Sequence, residues 1–247
     1  MISIENVSKV FSLPHQKKAT LRQRFVSIFQ KNTYEMFYAL RDIDLHISKG
    51  KFVSVIGKNG SGKSTLLKVI AKVLQPSFGT INVNGSLAPF LELGVGFHGE
   101  LTVKDNIFLY GAILGMSRQE VEDKYDWIID FSGLERFVDA KLKNLSSGMQ
   151  VRLGFSITVS VESSILLVDE VLAVGDIDFQ QKCYDTFDSF REKGRTILFV
   201  SHNLDAVERF SDRVVLLEEG TVTNEGDPAH VLALYKSQGN KGSVELF

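Results

Sequence analysis

The order of elements along the chain predicts an α/β fold with a parallel sheet at its core, an antiparallel β portion and an inserted helical subdomain. Three observations predict it. The runs Ile165–Val168 and Thr196–Val200 are wholly apolar, as strands buried on both faces are. Lys51–Ile56 is β-branched and apolar, and it leads through a glycine-rich turn into a helical pattern at Leu66–Leu74. Strands of this kind alternating with helices make a parallel α/β core.

The remaining elements follow in order. Val10-Phe11 and a strand beginning near Leu40 are separated by roughly 25 extra residues, so residues 12–38 read as an inserted segment. Within it Leu21, Phe25, Ile28 and Phe29 share one helix face, flanked by Arg22 and Arg24, with Lys17, Lys18 and Lys31 nearby. A basic amphipathic helix of this type can lie on a membrane surface, in a partner's groove, or simply on its own domain. Residues 101–160 hold no comparable buried strand and read as the helical subdomain. Val214–Glu218 and Thr221–Asn224 flank Glu219-Gly220 as a hairpin. Pro228–Ser237 reads as a closing helix with Asp227 as its N-cap, and the tail after Gly239 reads as loose. The whole, residues 1–247, reads as one domain.

Composition narrows the function classes. The 247 residues are 44% hydrophobic and 23% charged, enough to bury a core. A net charge of -2 gives no basis for nucleic acid as a main partner. The single cysteine, Cys183, excludes an internal disulfide framework, suits a reducing compartment and reads as a small buried residue. No apolar run reaches the ~18 residues that cross a bilayer, and the Met1–Asn6 start lacks the basic and apolar regions of a secretory signal. Work at a membrane would then need a partner or a surface contact.

Gly57-Lys58-Asn59-Gly60-Ser61-Gly62-Lys63-Ser64, followed by Thr65, fits G-x-x-x-x-G-K-[ST] between a strand and a helix. Its glycines let backbone N–H groups curl around a phosphate, and the helix N-terminus adds a favourable dipole. Lys63 would reach the β- and γ-phosphates of a nucleotide, and the Ser64 hydroxyl would ligate Mg²⁺. The strand Ile165–Val168 runs into Asp169-Glu170. Asp169 stands where a Walker B aspartate holds Mg²⁺, and Glu170, pointing to the other side of the extended chain, can polarise an attacking water as general base.

Leu145-Ser146-Ser147-Gly148-Met149 resembles the LSGGQ signature of ABC ATPases and lies about 20 residues before the Walker B strand, as in that family. A serine, a small residue and a glycine at a helix start offer a hydroxyl and free N–H groups to an anion. His202 resembles the family's switch histidine, which contacts the γ-phosphate, and Asp176 its D-loop aspartate at the dimer seam. The resemblance covers nearly the whole chain and identifies the fold as a P-loop NTPase core of the ABC nucleotide-binding type. It implies ATP and Mg²⁺ as ligands. It also implies a homodimer, because the signature of one subunit closes over ATP held by the other's loop and each motif occurs once here. An integral-membrane permease is the implied second partner, with no nucleic acid.

Three departures narrow the branch. The signature carries Ser147 and Met149 where glycine and glutamine are usual. The Q-loop glutamine is replaced in Leu91–His98, with Glu92 the match by spacing. The 12–38 insertion is the third. With Leu167–Asp176 they resemble the exporters of polysaccharides, whose substrates are lipid-linked O-antigens, capsules and teichoic acids. That branch implies an ATPase at the cytoplasmic face of the bacterial inner membrane, a helix near the membrane in the 12–38 region that gates substrate entry, and an O-antigen-like glycan as cargo. Teichoic acid or capsule export is the alternative within it. The chain is too short for the carbohydrate-binding domain that some exporters carry, so it reads as the short form or a truncated long one. A soluble ABC ATPase of ribosomes or DNA would show two cassettes or a long coiled coil, and neither is present. A P-loop kinase would lack the signature and His202. The adenine is expected to stack on Phe11, with Tyr38 as the rival.

Overall fold

The computed structural model of the protein describes residues 1–14, 34–91, 96–169 and 177–241. Two sheets organise them. The first is antiparallel, in the order β2-β1-β4, from β1 (Ile2–Pro14), β2 (Tyr34–Ile47) and β4 (Phe78–Val83). The second has the order β5-β6-β7-β3-β8-β9. Its strands are β3 (Phe52–Ile56), β5 (Leu87–Phe90), β6 (Ile165–Asp169), β7 (Thr196–Val200), β8 (Arg213–Glu218) and β9 (Thr221–Gly226). All its neighbours are parallel except β8 and β9, which form the hairpin.

β3, β6 and β7 are buried at every residue, which is why they are near-continuous apolar runs rather than alternating ones, broken only by Ser54, Asp169 and Thr196. One face of this sheet is aromatic. Phe52 packs on Phe187, Phe199 and Phe210 at centroid distances of 5.5, 6.0 and 5.8 Å. Phe187 comes from the helix Ile177–Glu192 and Phe210 from the helix Leu204–Phe210. The other face packs Val53, Val55, Leu167, Leu198 and Val200 against the antiparallel sheet and against Leu66, Leu67 and Ile70.

The helices are α1 (Lys63–Ile70), α2 (Val103–Ile113), α3 (Arg118–Ser132), α4 (Ser147–Ser160), α5 (Ile177–Glu192), α6 (Leu204–Phe210) and α7 (Pro228–Lys241). Helices α2, α3 and α4 share a separate hydrophobic cluster built on Ile107, Val121, Ile128, Leu153 and Ile157. Capping boxes start two of them, Thr102 with Asp105 and Ser117 with Glu120. The wholly buried Asn106 side chain pins the approach to α2, accepting from His98 N at 2.7 Å and donating to the carbonyls of His98, Leu101 and Thr102.

The structure differs from the sequence expectations at four places. The helix expected at Leu66–Leu74 is α1, and it starts at Lys63 because the loop feeds straight into it. It stops at Ile70, where Val73 N bonds back to the carbonyl of Lys68 and Lys72 turns to a φ of 60°. β2 begins at Tyr34 rather than near Leu40, so both ends of the 12–38 segment continue the β1–β2 ladder, with Phe11 opposite Phe37 and Pro14 opposite Tyr34. The closing helix runs past Ser237 to Lys241, so Asn240 and Lys241, expected in a loose tail after Gly239, are helical, and the remainder of that tail lies outside the described residues. β4 and β5 are additional strands. Asp227 does cap α7, accepting from His230 N at 3.2 Å. Among the described residues no helix is long and apolar enough to cross a membrane. The basic amphipathic face expected from Leu21 to Phe29 lies outside the described residues.

Candidate functional site

The loop Gly57–Gly62 joins β3, which lies between β7 and β8 inside the parallel sheet, to α1. Two distant strands hold its far side. A Cβ on Gly62, whose φ is 105°, would stand 2.5 Å from the carbonyl oxygen of Ala39 on β2, so only glycine allows this approach. Gly220 N, at the tip of the β8–β9 hairpin, donates to the carbonyl of Ser61 at 3.0 Å, and Arg41 N donates to the carbonyl of Gly220 at 2.8 Å. The loop tip Lys58-Asn59-Gly60 is exposed and, with Glu218, Glu219 and Thr223, borders a cleft of about 510 Å³.

Helix α1 begins without a side-chain cap and with no acidic residue in its first turn. Its first N–H groups are therefore available to an anion, with the positive end of the helix dipole behind them. Lys63 is 6% exposed and donates to the carbonyls of Gly57 at 2.8 Å and Lys58 at 3.0 Å. An ammonium has three donors, so one is left for a phosphate. The Ser61 Oγ is buried without a hydrogen-bond partner, Ser64 is exposed at the helix start, and Thr65 is half-buried behind it.

The parallel register brings two more groups to this edge. Val200 pairs with Val55 on one side and with Asp169 on the other, so β3, β7 and β6 end together. Asp169 is 8% exposed. Burial lowers the pKa of Lys63, and the Asp169 carboxylate opposes that shift. His202, just past β7, has its pKa lowered from 6.5 by burial and then by the Lys63 charge. Lys63 is thus coupled both to Asp169 and to His202 at the strand ends. Glu170, Asp176 and Glu92 lie outside the described residues.

Three aromatic rings stand on the β1–β2 ladder of the antiparallel sheet, whose Ala39 carbonyl approaches Gly62. Phe11 and Phe37 are paired across β1 and β2 and share a face, while Tyr38 pairs with Val10 on the other. Lys9 sits 5.2 Å from the Phe11 ring and Arg41 4.8 Å from the Tyr38 ring. Phe37 is 48% exposed and Tyr38 39%. Sequence reasoning missed Phe37, because the strand was expected to start after it. Its adjacency to Tyr38, the rival ring already singled out, was the available signal.

The segment Leu145–Met149 starts α4. Ser146 is the N-cap and accepts from Met149 N at 3.2 Å, while Gln150 Nε2 donates to the carbonyls of Leu142 and Leu145 at 3.2 and 3.1 Å. Leu145 is buried in the helical cluster and Met149 packs beside it. Ser146 and Ser147 are exposed. A Cβ on Gly148 would meet only the Ser146 Oγ, at 4.0 Å, so the chain's own packing does not require glycine there. Helix α4 packs on α2, α3 and β5, so this segment and the phosphate loop stand on separate elements.

The profile of the ABC transporter family matches residues 40–173. The O-antigen export system ATP-binding protein RfbB of Klebsiella pneumoniae is 43% identical over 239 residues, which is 96% of this chain and 97% of that one. The teichoic acids export ATP-binding protein TagH of Staphylococcus haemolyticus is 36% identical over 235 residues, covering 95% and 88% of the two chains. Among solved structures, the dimeric ATP-binding cassette MJ0796 in a post-hydrolysis state with ADP and Pi has a similar fold. Its TM-score is 0.76 at 23% identity, with 92% of this chain and 99% of that one covered.

Proposed function

The chain belongs to the ABC transporter family as an ATP-binding, ATP-hydrolysing subunit, and we propose that two copies clasp Mg-ATP between them to drive export of a lipid-linked polysaccharide of the O-antigen kind. The observation that carries the reading is the meeting of Lys63, Asp169 and His202 at the strand ends beside the uncapped start of α1. That arrangement takes a triphosphate: N–H groups and an ammonium for its oxygens, a carboxylate for its metal, and an imidazole beyond.

In this reading the N–H groups of Gly60 and Gly62–Thr65 bind the phosphates, the turn being shaped by Gly57, Lys58 and Asn59 and by the Ser61 N–H, which donates to the Lys58 carbonyl at 3.1 Å, and Lys63 neutralises charge on the transferring group. The donor set at the strand ends, the exposed Ser64 hydroxyl and the Asp169 carboxylate, is made of hard oxygens and suits Mg²⁺. The ion would be held by those two residues and would offset negative charge on the β- and γ-phosphates. Glu170 polarises the attacking water, and His202 faces the γ-phosphate. Phe11, with Phe37 on the same face, stacks the adenine. Ser146, Ser147 and Gly148 of one copy close on the nucleotide of the other, with Asp176 at the seam and Glu92 in the Q-loop position.

The residues of the 101–160 subdomain would carry the closing motion to an integral-membrane permease, which holds the ATPase at the cytoplasmic face of the inner membrane. A groove of about 340 Å³ between the end of α1, β5 and the end of α2, bordered by the 57% exposed Ile113, supports docking of a permease segment there. Relatives named for O-antigen export and for teichoic acid export support the polysaccharide as cargo. The test is to reconstitute the chain with its permease in vesicles and add lipid-linked glycans. Stimulation of ATP hydrolysis by O-antigen-type glycans is expected. Stimulation by teichoic acid precursors alone would move the cargo to that class, and indifference to all glycans would overturn the export reading.

A further inference from the structure

Away from the strand ends, a second cleft of about 620 Å³ lies between α3 and the end of α4 on one side and α5 on the other. Its wall is aromatic: Trp127 is 45% exposed and leans on Phe131, with ring centroids 4.8 Å apart and planes tilted by 33°. Phe190 lies under Arg195, whose guanidinium is 4.3 Å from the ring.

The polar rim mixes signs. Four cations, Lys124, Lys182, Lys193 and Arg195, face three carboxylates, Asp130, Glu162 and Asp185. Three of the cations are already engaged. Lys124 donates to the Ser160 carbonyl at 2.7 Å and to Glu162 at 3.2 Å. Lys182 reaches the carbonyls closing α3, those of Asp130 and Phe131, at 3.4 and 3.3 Å. Arg195 covers Phe190. The Lys193 ammonium and the Asp130 carboxylate are exposed and make no side-chain bond among the described residues.

This balance selects a ligand class. A nucleotide or sugar phosphate needs net positive charge, and the rim supplies almost none. A wholly apolar ligand would leave the carboxylates and ammonium groups desolvated without partners. A neutral hexopyranose satisfies both conditions. Its C–H face lies on an aromatic ring, and each hydroxyl both donates and accepts, matching a free carboxylate and a free ammonium on one rim. We propose that this cleft is a carbohydrate-binding site, with Trp127 as the platform and Asp130 and Lys193 as the hydroxyl-reading groups. The site would bind a pyranose whether it arrives as a free sugar or as part of a glycan chain. It is independent of the ATP site.

Trp127 is the only tryptophan in the chain, so its emission reports this cleft alone. The experiment titrates the full chain with methyl glycosides of mannose, galactose, glucose and N-acetylglucosamine, and with their short oligosaccharides. A saturable change in emission is expected with at least one of them. Tighter binding of the oligosaccharide marks a glycan chain as the source, and equal binding marks a free sugar. Asp130→Ala and Lys193→Ala should each weaken it by about tenfold while ATP turnover and the circular dichroism spectrum stay unchanged. A flat titration with every sugar, an unaltered response in both variants, or a response to AMP or to sugar phosphates in place of neutral sugars would overturn the assignment. ATP turnover measured on the same sample separates this failure from a failure of the ATPase reading.

Discussion

The ammonium of Lys63 donates to the carbonyl of Gly57 at 2.8 Å, so the phosphate loop is closed on its own lysine in the described structure. The lysine is therefore held at the centre of the loop before a phosphate reaches it. Removing it takes away one anchor of the loop and, on the proposed reading, a charge-assisted contact to the nucleotide. Lys63→Ala should weaken ATP binding by roughly ten- to a hundredfold, the equivalent of about 1.5–3 kcal/mol. Calorimetric titration with ATP checks this, and unchanged affinity would remove Lys63 from the phosphate site.

The proton affinity of His202 gives a pH signature. Its pKa lies below 6.5 because of burial and the Lys63 charge. In the nucleotide-free protein the unfolded imidazole binds a proton more readily than the folded one. This group's contribution to stability is therefore present above 6.5 and lost progressively as pH falls below 6.5 through the folded pKa. An ATP γ-phosphate beside it reverses the bias and raises its pKa. Binding then takes up a proton, and affinity for Mg-ATP should rise as pH falls from 7.5 toward about 6. His202→Gln should flatten that dependence. A wild-type profile that is flat, or one unchanged in the variant, contradicts contact between His202 and the phosphate.

Gly148 separates a folding role from a trans role. A Cβ there meets only the Ser146 Oγ at 4.0 Å, so Gly148→Ala should leave the unfolding free energy measured in urea within about 0.5 kcal/mol of wild type. If Gly148 lies against a nucleotide on a second copy, the same change should cut ATP turnover severalfold. Turnover equal to wild type would leave the glycine without that role.

Phe187 sits at the middle of the aromatic face, wholly buried, with Phe52, Phe199 and Phe210 at 5.5, 5.8 and 5.6 Å. Phe187→Ala should cost about 3–5 kcal/mol of stability. Urea denaturation followed by circular dichroism measures it, and a loss under 1 kcal/mol would mean that the face repacks.

What the sequence exposed and what it hid divide along physical lines. β3, β6 and β7 are legible because strands buried on both faces are apolar at nearly every position, and their motifs sit at the exits. β4 is not, because Phe78–Val83 is mostly exposed and carries little pattern. β5 is obscured by Pro89, which this strand tolerates at the edge of the sheet. The start of β2 is hidden because Met36, Phe37 and Tyr38 are apolar yet exposed, so neither period stands out. For the site, Gly57–Ser64, Asp169 and His202 were readable as local motifs. The contacts that brace the loop, Ala39 against Gly62 and Gly220 to Ser61, join residues 23 and 159 positions apart and leave no local trace.

The central claim is that each ATP is completed by two chains, and mixing two crippled variants tests it most directly. Lys63→Ala removes a loop, and Gly148→Trp blocks a signature. Each homodimer lacks two good sites, whereas a mixed dimer pairs the intact loop of one chain with the intact signature of the other. Two preparations inactive alone should therefore hydrolyse ATP when unfolded together and refolded as a mixture. If the mixture stays as inactive as its parts although mixed dimers form, or if Gly148→Trp alone retains full turnover, the shared site is contradicted.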